Sequence, residues 1–205
     1  MNPPTPTLTA SLAPGEHALS LRWSFANTTE EPLYVCVRAN IGNQLLAAPY
    51  TYLGEADGVL VATFRWLPVP PNIDVPSVDI PFYRKLEAGQ AADEACELPI
   101  PIRELHPYGN RKYPEQSIAV PVSKVAFSVE YFLARDALFA RETPHDPVLL
   151  HAKSERAAFR EQLLPLERPV NVLKRTDRFF RYSKAELTLP ERPENPLSQG
   201  RPRSV

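Results

Sequence analysis

Residues 17–39 of this chain read HALSLRWSFANTTEEPLYVCVRA, and this stretch decides the fold class. Apolar residues alternate with polar or small ones over Leu19–Phe25, which is the period of two expected of a strand with one buried face. A polar run, Asn27–Pro32, follows, and alternation resumes over Leu33–Ala39. Two alternating runs separated by turn-forming residues predict a β-hairpin.

The proline content extends this interpretation to the rest of the chain, because 24 prolines stand against only 7 glycines. Proline has no N–H to donate to a β-ladder, so it is tolerated at strand starts, edges, bulges and connections. Here the prolines separate short alternating runs, and the turn signal Asp57-Gly58 precedes one of them. Further strands are predicted at Leu8–Leu12, Leu45–Leu53, Val59–Leu67, Ser117–Val122, Lys124–Phe132, Val170–Leu173 and Phe179–Leu189.

One segment has a different composition. Pro147–Leu164 is rich in helix-forming residues, with Asp146 as a plausible cap and Pro147 at the first helical position, so it predicts a short C-terminal helical segment. Ala91–Glu97 fits either a strand or one or two helical turns. The sequence leaves that choice open.

Together these elements predict a mainly β protein, an antiparallel β-sandwich whose strand spacing resembles that of immunoglobulin-like and other Greek-key domains. We expect a disordered N-terminus at 1–7, one domain over 8–189 with the helical insertion near 147–164, and a disordered proline- and arginine-rich tail at 190–205. The resemblance is to a widely used architecture and implies no function.

Charge is unevenly distributed along the chain although the formal net charge is only −1. Residues 1–102 carry 5 Lys and Arg against 11 Asp and Glu, and residues 103–205 carry 18 against 13. The start of the sequence, MNPPTP, lacks the basic and apolar regions of a secretory signal. We therefore expect a cytoplasmic protein in which Cys36 and Cys96 are free thiols.

Motifs for catalysis and for cofactors are absent from the sequence. It contains no nucleophile elbow, phosphate loop, dinucleotide fingerprint or Cys-x-x-Cys pair. The group His145, Asp146 and His151 does not match a zinc-site spacing. We therefore expect a protein that is not an enzyme and that holds neither a cofactor nor a metal.

Two segments combine cations with aromatic residues and are the candidate partner-binding surfaces. The loop 106–114 pairs tyrosines with histidine, asparagine and cations, a composition common in protein interfaces. The segment 174–184 holds five cations, one acid and three aromatics. An ordinary half-buried strand also explains the second segment. The candidate binding residues are His106, Tyr108, Arg111, Tyr113, Lys174, Arg175, Arg178 and Arg181.

These observations favour a non-enzymatic protein–protein interaction module, with another protein, acidic in character, as the partner. The near-zero net charge and the lack of an RNA-binding signature disfavour nucleic acid, and no apolar run is long enough to cross a membrane. The alternative is a sandwich that binds a carbohydrate or small molecule, with hydrolase activity in the end loops.

Overall fold

The computed structural model describes residues 4–54, 56–69, 78–108, 117–143 and 149–175. Within these ranges the protein is mainly β, and its one helical element is a 3₁₀ turn at Ala134–Asp136. The strands are β1 (Thr7–Pro14), β2 (Ala18–Ala26), β3 (Leu33–Ile41), β4 (Gln44–Leu46), β5 (Tyr50–Leu53), β6 (Val59–Phe64), β7 (Phe82–Leu86), β8 (Ala91–Pro99), β9 (Ile102–Arg103), β10 (Ser117–Leu133), β11 (Phe139–Glu142), β12 (Leu149–Lys153) and β13 (Ala158–Arg175).

The strands form a small sheet and a large one. The small sheet has the order β1-β2-β8. The large sheet has the order β11-β12-β7-β3-β10-β13-β9, with β4 paired to β3 and the β5–β6 pair joined to β10. Most pairs are antiparallel, whereas β6 runs parallel to β10 and β9 runs parallel to β13.

The core lies where the alternating face of β2 meets the large sheet. The ring of Trp23 lies 5.6 Å from that of Phe64 and 5.9 Å from that of Phe127, centroid to centroid. Phe25 contacts Tyr131 in the same way, at 5.4 Å. These rings are buried, and each buried side chain of this size contributes roughly 1.5–3 kcal/mol to stability.

The predicted hairpin of the two opening strands is wrong, although both strands exist. β2 pairs with β1 and β8, whereas β3 pairs with β4, β7 and β10, so the polar run between them crosses from one sheet to the other. The crossover is held by the buried side chain of Asn27, whose amide nitrogen donates to the carbonyls of Leu86 and Glu87, 3.1 Å away in each case. Turn-forming residues indicate that the chain changes direction, but the partner strands are set by distant sequence.

The predicted helix over Pro147–Leu164 is also wrong. The described part of this range lies in β12, the following turn and the first half of β13. Alternation is visible at Leu163, which is exposed, and Leu164, which is buried. Helix propensity is a weak preference that pairing with a long neighbouring strand overrides, and β13 pairs with β10 along nearly its whole length.

Several local predictions are confirmed. Gly58 has the positive φ, 72°, that the turn between β5 and β6 requires. The choice between strand and helix that the sequence leaves open at Ala91–Glu97 is decided by pairing, because this segment pairs residue by residue with β2. Cys36 and Cys96 are buried free thiols.

The disordered N-terminus predicted over 1–7 does not extend to its last residues. The carbonyl of Pro6 accepts a hydrogen bond from Arg160, and β1 begins at Thr7.

Among the described residues, no helix has both the length and the apolar character needed to cross a membrane.

Candidate interaction surface

The last residues of β13 lie beside the first residues of β10. In this antiparallel pair Ser117 is the register partner of Arg175, and Ile118 is the partner of Lys174. The chain therefore enters β10, after the loop predicted to bind a partner, next to the point where it leaves β13 for the cationic segment. Ile118 and Lys174, which are 56 residues apart in sequence, therefore lie at one end of the sheet.

The strand that precedes the loop, β9, lies beside the same end of β13. β9 runs parallel to β13, with Ile102 opposite Val172 and Arg103 opposite Leu173. The loop is thus attached on one side through β9 and on the other through β10, and β13 lies between these two strands. Arg175 therefore lies on the strand between β9, which precedes the loop, and β10, which follows it.

The side chains on one face of this strand pair change from buried to exposed toward the end. Val122 and its partner Val170 are buried, and so is Val172. One step further out, Ile118 is 58% exposed and its partner Lys174 is exposed as well. A large apolar side chain and a cation therefore stand directly across from each other in solvent.

The outer side of β10 is open at this end. Beyond Val122 no described strand pairs with β10 on the side away from β13, whereas from Lys124 onward β6 occupies that side. A bulge between Val122 and Lys124 separates the two regions. The region Ser117–Val122 is thus an edge whose backbone faces solvent as far as the structure describes it.

His106 and Tyr108 lie at the start of the loop and pack inward. Tyr108 is buried at 8% exposure, its backbone N–H donates to Nδ1 of His106, and the two rings lie 5.8 Å apart. His106 also contacts Tyr50, a member of a second small core. Burial, reinforced by the charge of Asp79, raises the pKa of the Tyr108 phenol to about 12. These two residues therefore anchor the loop rather than extend from it.

The other predicted binding residues are placed unevenly. Lys174 is exposed, and Arg175 is placed in β13 by its backbone pairing. Arg111, Tyr113, Arg178 and Arg181 lie outside the described residues. The structure thus places Lys174 and Arg175 beside Ile118 and Ser117, which follow the loop, and what the remaining residues of both segments do stays a prediction.

Two surface depressions lie elsewhere on the described residues, one lined mainly by apolar residues and one lined mainly by polar residues. A groove of about 510 Å³ is lined mainly by the apolar stretch Leu98–Ile102 together with Pro49 and Leu105. A second depression lies over the small sheet, between β1, β2 and β8. Across the described ranges no three His, Cys, Asp or Glu side chains are arranged to hold a metal ion.

Sequence reasoning missed two acidic residues, each of which the fold brings against its own polar or charged partners. Glu130 is buried and accepts hydrogen bonds from the Tyr83 hydroxyl and the backbone N–H of Trp66. Glu94 on β8 bridges Arg38 at 2.7 Å and Arg84 at 2.8 Å. For Glu130, the sequence offers one indication of a buried acid, because this residue is the only charge in a strongly apolar stretch of β10. For Glu94 it offers none, because tertiary structure alone brings Arg38 and Arg84 to this residue.

Comparisons of this chain with protein-family models, with curated proteins and with solved structures found no match.

Proposed function

We propose that this protein is a non-enzymatic interaction module that binds an acidic protein through the shared end of β9, β10 and β13. The observation that carries the proposal is the exposed pair Ile118 and Lys174, in which a residue shortly after the loop stands opposite the first cation of the segment 174–184. Cations at the rim of such a patch attract an acidic partner over distance, and an apolar residue beside them supplies contact area.

The open edge of β10 supports the same conclusion. Ser117–Val122 carries Ile and Val side chains, and among the described residues no strand pairs with its side away from β13. An exposed strand edge of this kind favours association with another polypeptide rather than with a small molecule. A cytoplasmic location remains part of the proposal.

A photo-crosslinking amino acid at position 118 tests this function. In the native host we expect the probe to give a discrete adduct with a protein, identified by mass spectrometry. The same probe at Leu45, which is 46% exposed on β4, serves as the matched control and should give no such adduct.

The adduct should weaken when Lys174 and Arg175 are both changed to Ser, because exposed cations contribute little to stability but much to attraction. A probe at position 118 that gives no adduct, or the same adduct as position 45, would contradict the proposal. An adduct with nucleic acid would replace it with nucleic-acid binding.

The finer architecture is also a proposal. We infer that the small and large sheets stack as an antiparallel β-sandwich of immunoglobulin-like or Greek-key type. The contacts of Trp23 and Phe25 with rings of the large sheet support stacking.

The second candidate function is binding of a small apolar molecule, and one observation favours it. The groove along Leu98–Ile102 has a volume within the range of ligand sites and a mainly apolar lining. A rise in the fluorescence of an environment-sensitive apolar dye on binding, and loss of that rise on Ile100→Lys, would support this candidate. Unchanged dye fluorescence in the wild-type protein would exclude it.

A further inference from the structure

Along β8, successive residues direct their backbone N–H and C=O groups alternately toward β2 and away from it. At the two ends of the β2–β8 pair, Asn27 N–H donates to the Gln90 carbonyl and Ile100 N–H donates to the His17 carbonyl, each at 2.8 Å. Even-numbered residues of β8 therefore bond to β2. In an antiparallel strand the intervening residues direct their N–H and C=O groups to the other side. Those residues are Ala91, Asp93, Ala95 and Glu97.

This outer side of β8 has no strand beside it in the part of the chain that the structure describes. β8 is the last strand of its sheet, and all four of the outward-directed residues are exposed. On this side the amide groups of these four residues therefore have no strand partner among the described residues. A row of unpaired backbone groups is a template for an added strand.

At the opposite edge of the same sheet, side chains from another strand cover the outward backbone groups of β1. On β1 the outward N–H of Ala10 donates to Oε1 of Gln162 at 2.7 Å. The carbonyl of Pro6 accepts from Nε of Arg160, also at 2.7 Å. Side chains of β13 therefore occupy the edge of β1, and the edge of β8 has no equivalent cover among the described residues.

The usual devices that protect an edge strand are weak on β8. It has no lysine, its proline is at its last position, Pro99, and its register with β2 is continuous. Its one inward-pointing charge, Glu94, is neutralised by Arg38 and Arg84. An incoming strand would therefore not leave an unpaired charge buried beside it.

The acidic residues of β8 favour a partner strand that carries positive charge. Asp93 and Glu97 are exposed on the outer face, and the strand carries no cation. Cross-strand pairs of opposite charge stabilise a sheet, and like charges opposite each other destabilise it. Pairing of β8 with β8 of a second copy would bring acids against acids, whereas a strand with alternating lysine or arginine complements them.

We propose that the open edge of β8 accepts an extended, basic segment of a partner protein as an added strand of the small sheet. This site is separate from the cationic patch around Ile118 and Lys174, and it selects the opposite charge. Backbone hydrogen bonds to Ala91, Asp93, Ala95 and Glu97 supply the attachment. The carboxylates of Asp93 and Glu97 supply the preference for cations.

Residue-resolved amide exchange with a synthetic peptide tests the proposal. The probe is a peptide of alternating lysine and valine as long as β8. In the free protein, the amides of Glu94 and Cys96 should be protected while those of Asp93, Ala95 and Glu97 exchange rapidly. At saturating peptide, the last three should slow by about tenfold or more.

Matched controls separate strand addition from general attraction. A peptide with glutamate in place of lysine should bind weakly, and a lysine peptide with N-methylated bonding amides should fail to protect β8. Ala95→Pro should abolish protection because it removes an outward N–H that β2 does not use. Ala95→Thr keeps that N–H and should bind normally, and serine at 174 and 175 should also leave binding unchanged.

Protection of the three alternate amides by the lysine peptide, and its loss with the N-methylated peptide, would support the site. Peptide binding without that protection, or no binding at all, would overturn it. Protection that appears without peptide as protein concentration rises would also overturn it, in favour of self-association. The N-methylated peptide keeps the test decisive should Ala95→Pro fail to fold.

Discussion

The hydroxyl of Tyr83 on β7 donates a hydrogen bond to the carboxyl group of Glu130 on β10 inside the core. Glu130 is 4% exposed, and burial raises the pKa of its carboxyl group from 4.5 to about 7. The hydrogen bonds from Tyr83 and Trp66 and the charge of Arg65 oppose that rise without cancelling it. A proton therefore remains on this acid at pH values where an exposed glutamate has lost it.

This raised pKa predicts a pH-dependent stability that Glu130→Gln removes. Between the unfolded pKa near 4.5 and the folded pKa near 7, the folded state holds a proton that the unfolded state has released. The contribution of Glu130 to the free energy of unfolding should therefore fall as pH rises through this window, by about 3 kcal/mol at most. Urea denaturation at several pH values measures it.

Glutamine keeps an oxygen that accepts the Tyr83 hydrogen bond and has no charge to bury. The variant should therefore gain stability over wild type as pH rises from 5 to 8, and Glu142→Gln on the exposed strand β11 should not. Parallel pH profiles for wild type and Glu130→Gln would show that Glu130 titrates normally.

Because Asn27 holds the crossover between the sheets, we expect its substitution to lower the free energy of unfolding more than most substitutions do. Its side chain is buried, donates to the carbonyls of Glu31, Leu86 and Glu87, and accepts from Thr29. Asn27→Ala leaves buried carbonyls without a donor and should lower the free energy of unfolding by roughly 2 kcal/mol.

The exposed neighbour Glu30 is the control for that experiment. Glu30→Ala should change the free energy of unfolding by less than about 0.5 kcal/mol. Equal and small effects at both positions would indicate an exposed hairpin turn, as the sequence predicted, in place of the crossover.

Burial also predicts that both thiols are unreactive in the folded protein. It raises the pKa of Cys36 well above its usual range and that of Cys96 to about 12. An alkylating reagent at pH 8 should therefore modify neither thiol before denaturation and both after it, as counted by intact mass. A denatured chain lighter by two hydrogens and resistant to alkylation would show a disulfide instead.

How far the sequence predicts the fold depends on whether a feature is local. The sequence predicts β2 because the apolar residues of Leu19–Phe25 alternate and share one face. It predicts the turn at Gly58 from the Asp57-Gly58 dipeptide. The hairpin and the helix were wrong because strand partners are chosen by tertiary contacts. Pairing with β10 overrides the helix-forming composition of residues 158–164.

The candidate surface shows the same division. Its cations and aromatics are visible in the sequence, but the position of Lys174 and Arg175 beside the start of β10 follows from strand pairing, which no local pattern encodes. The inward packing of Tyr108 depends likewise on the small core around Tyr50. The edge of β8 was hidden because Ala91–Glu97 fits helix and strand equally well.

Salt-dependent capture of the partner tests the central claim most directly. Changing Arg175, Arg178 and Arg181 together to Ser should leave the circular dichroism spectrum and melting temperature nearly unchanged. Quantitative mass spectrometry should then show less of the protein that crosslinks at position 118, with the largest loss at low ionic strength, where charge attraction is least screened. Capture that is equal for wild type and variant at every salt concentration would contradict the account.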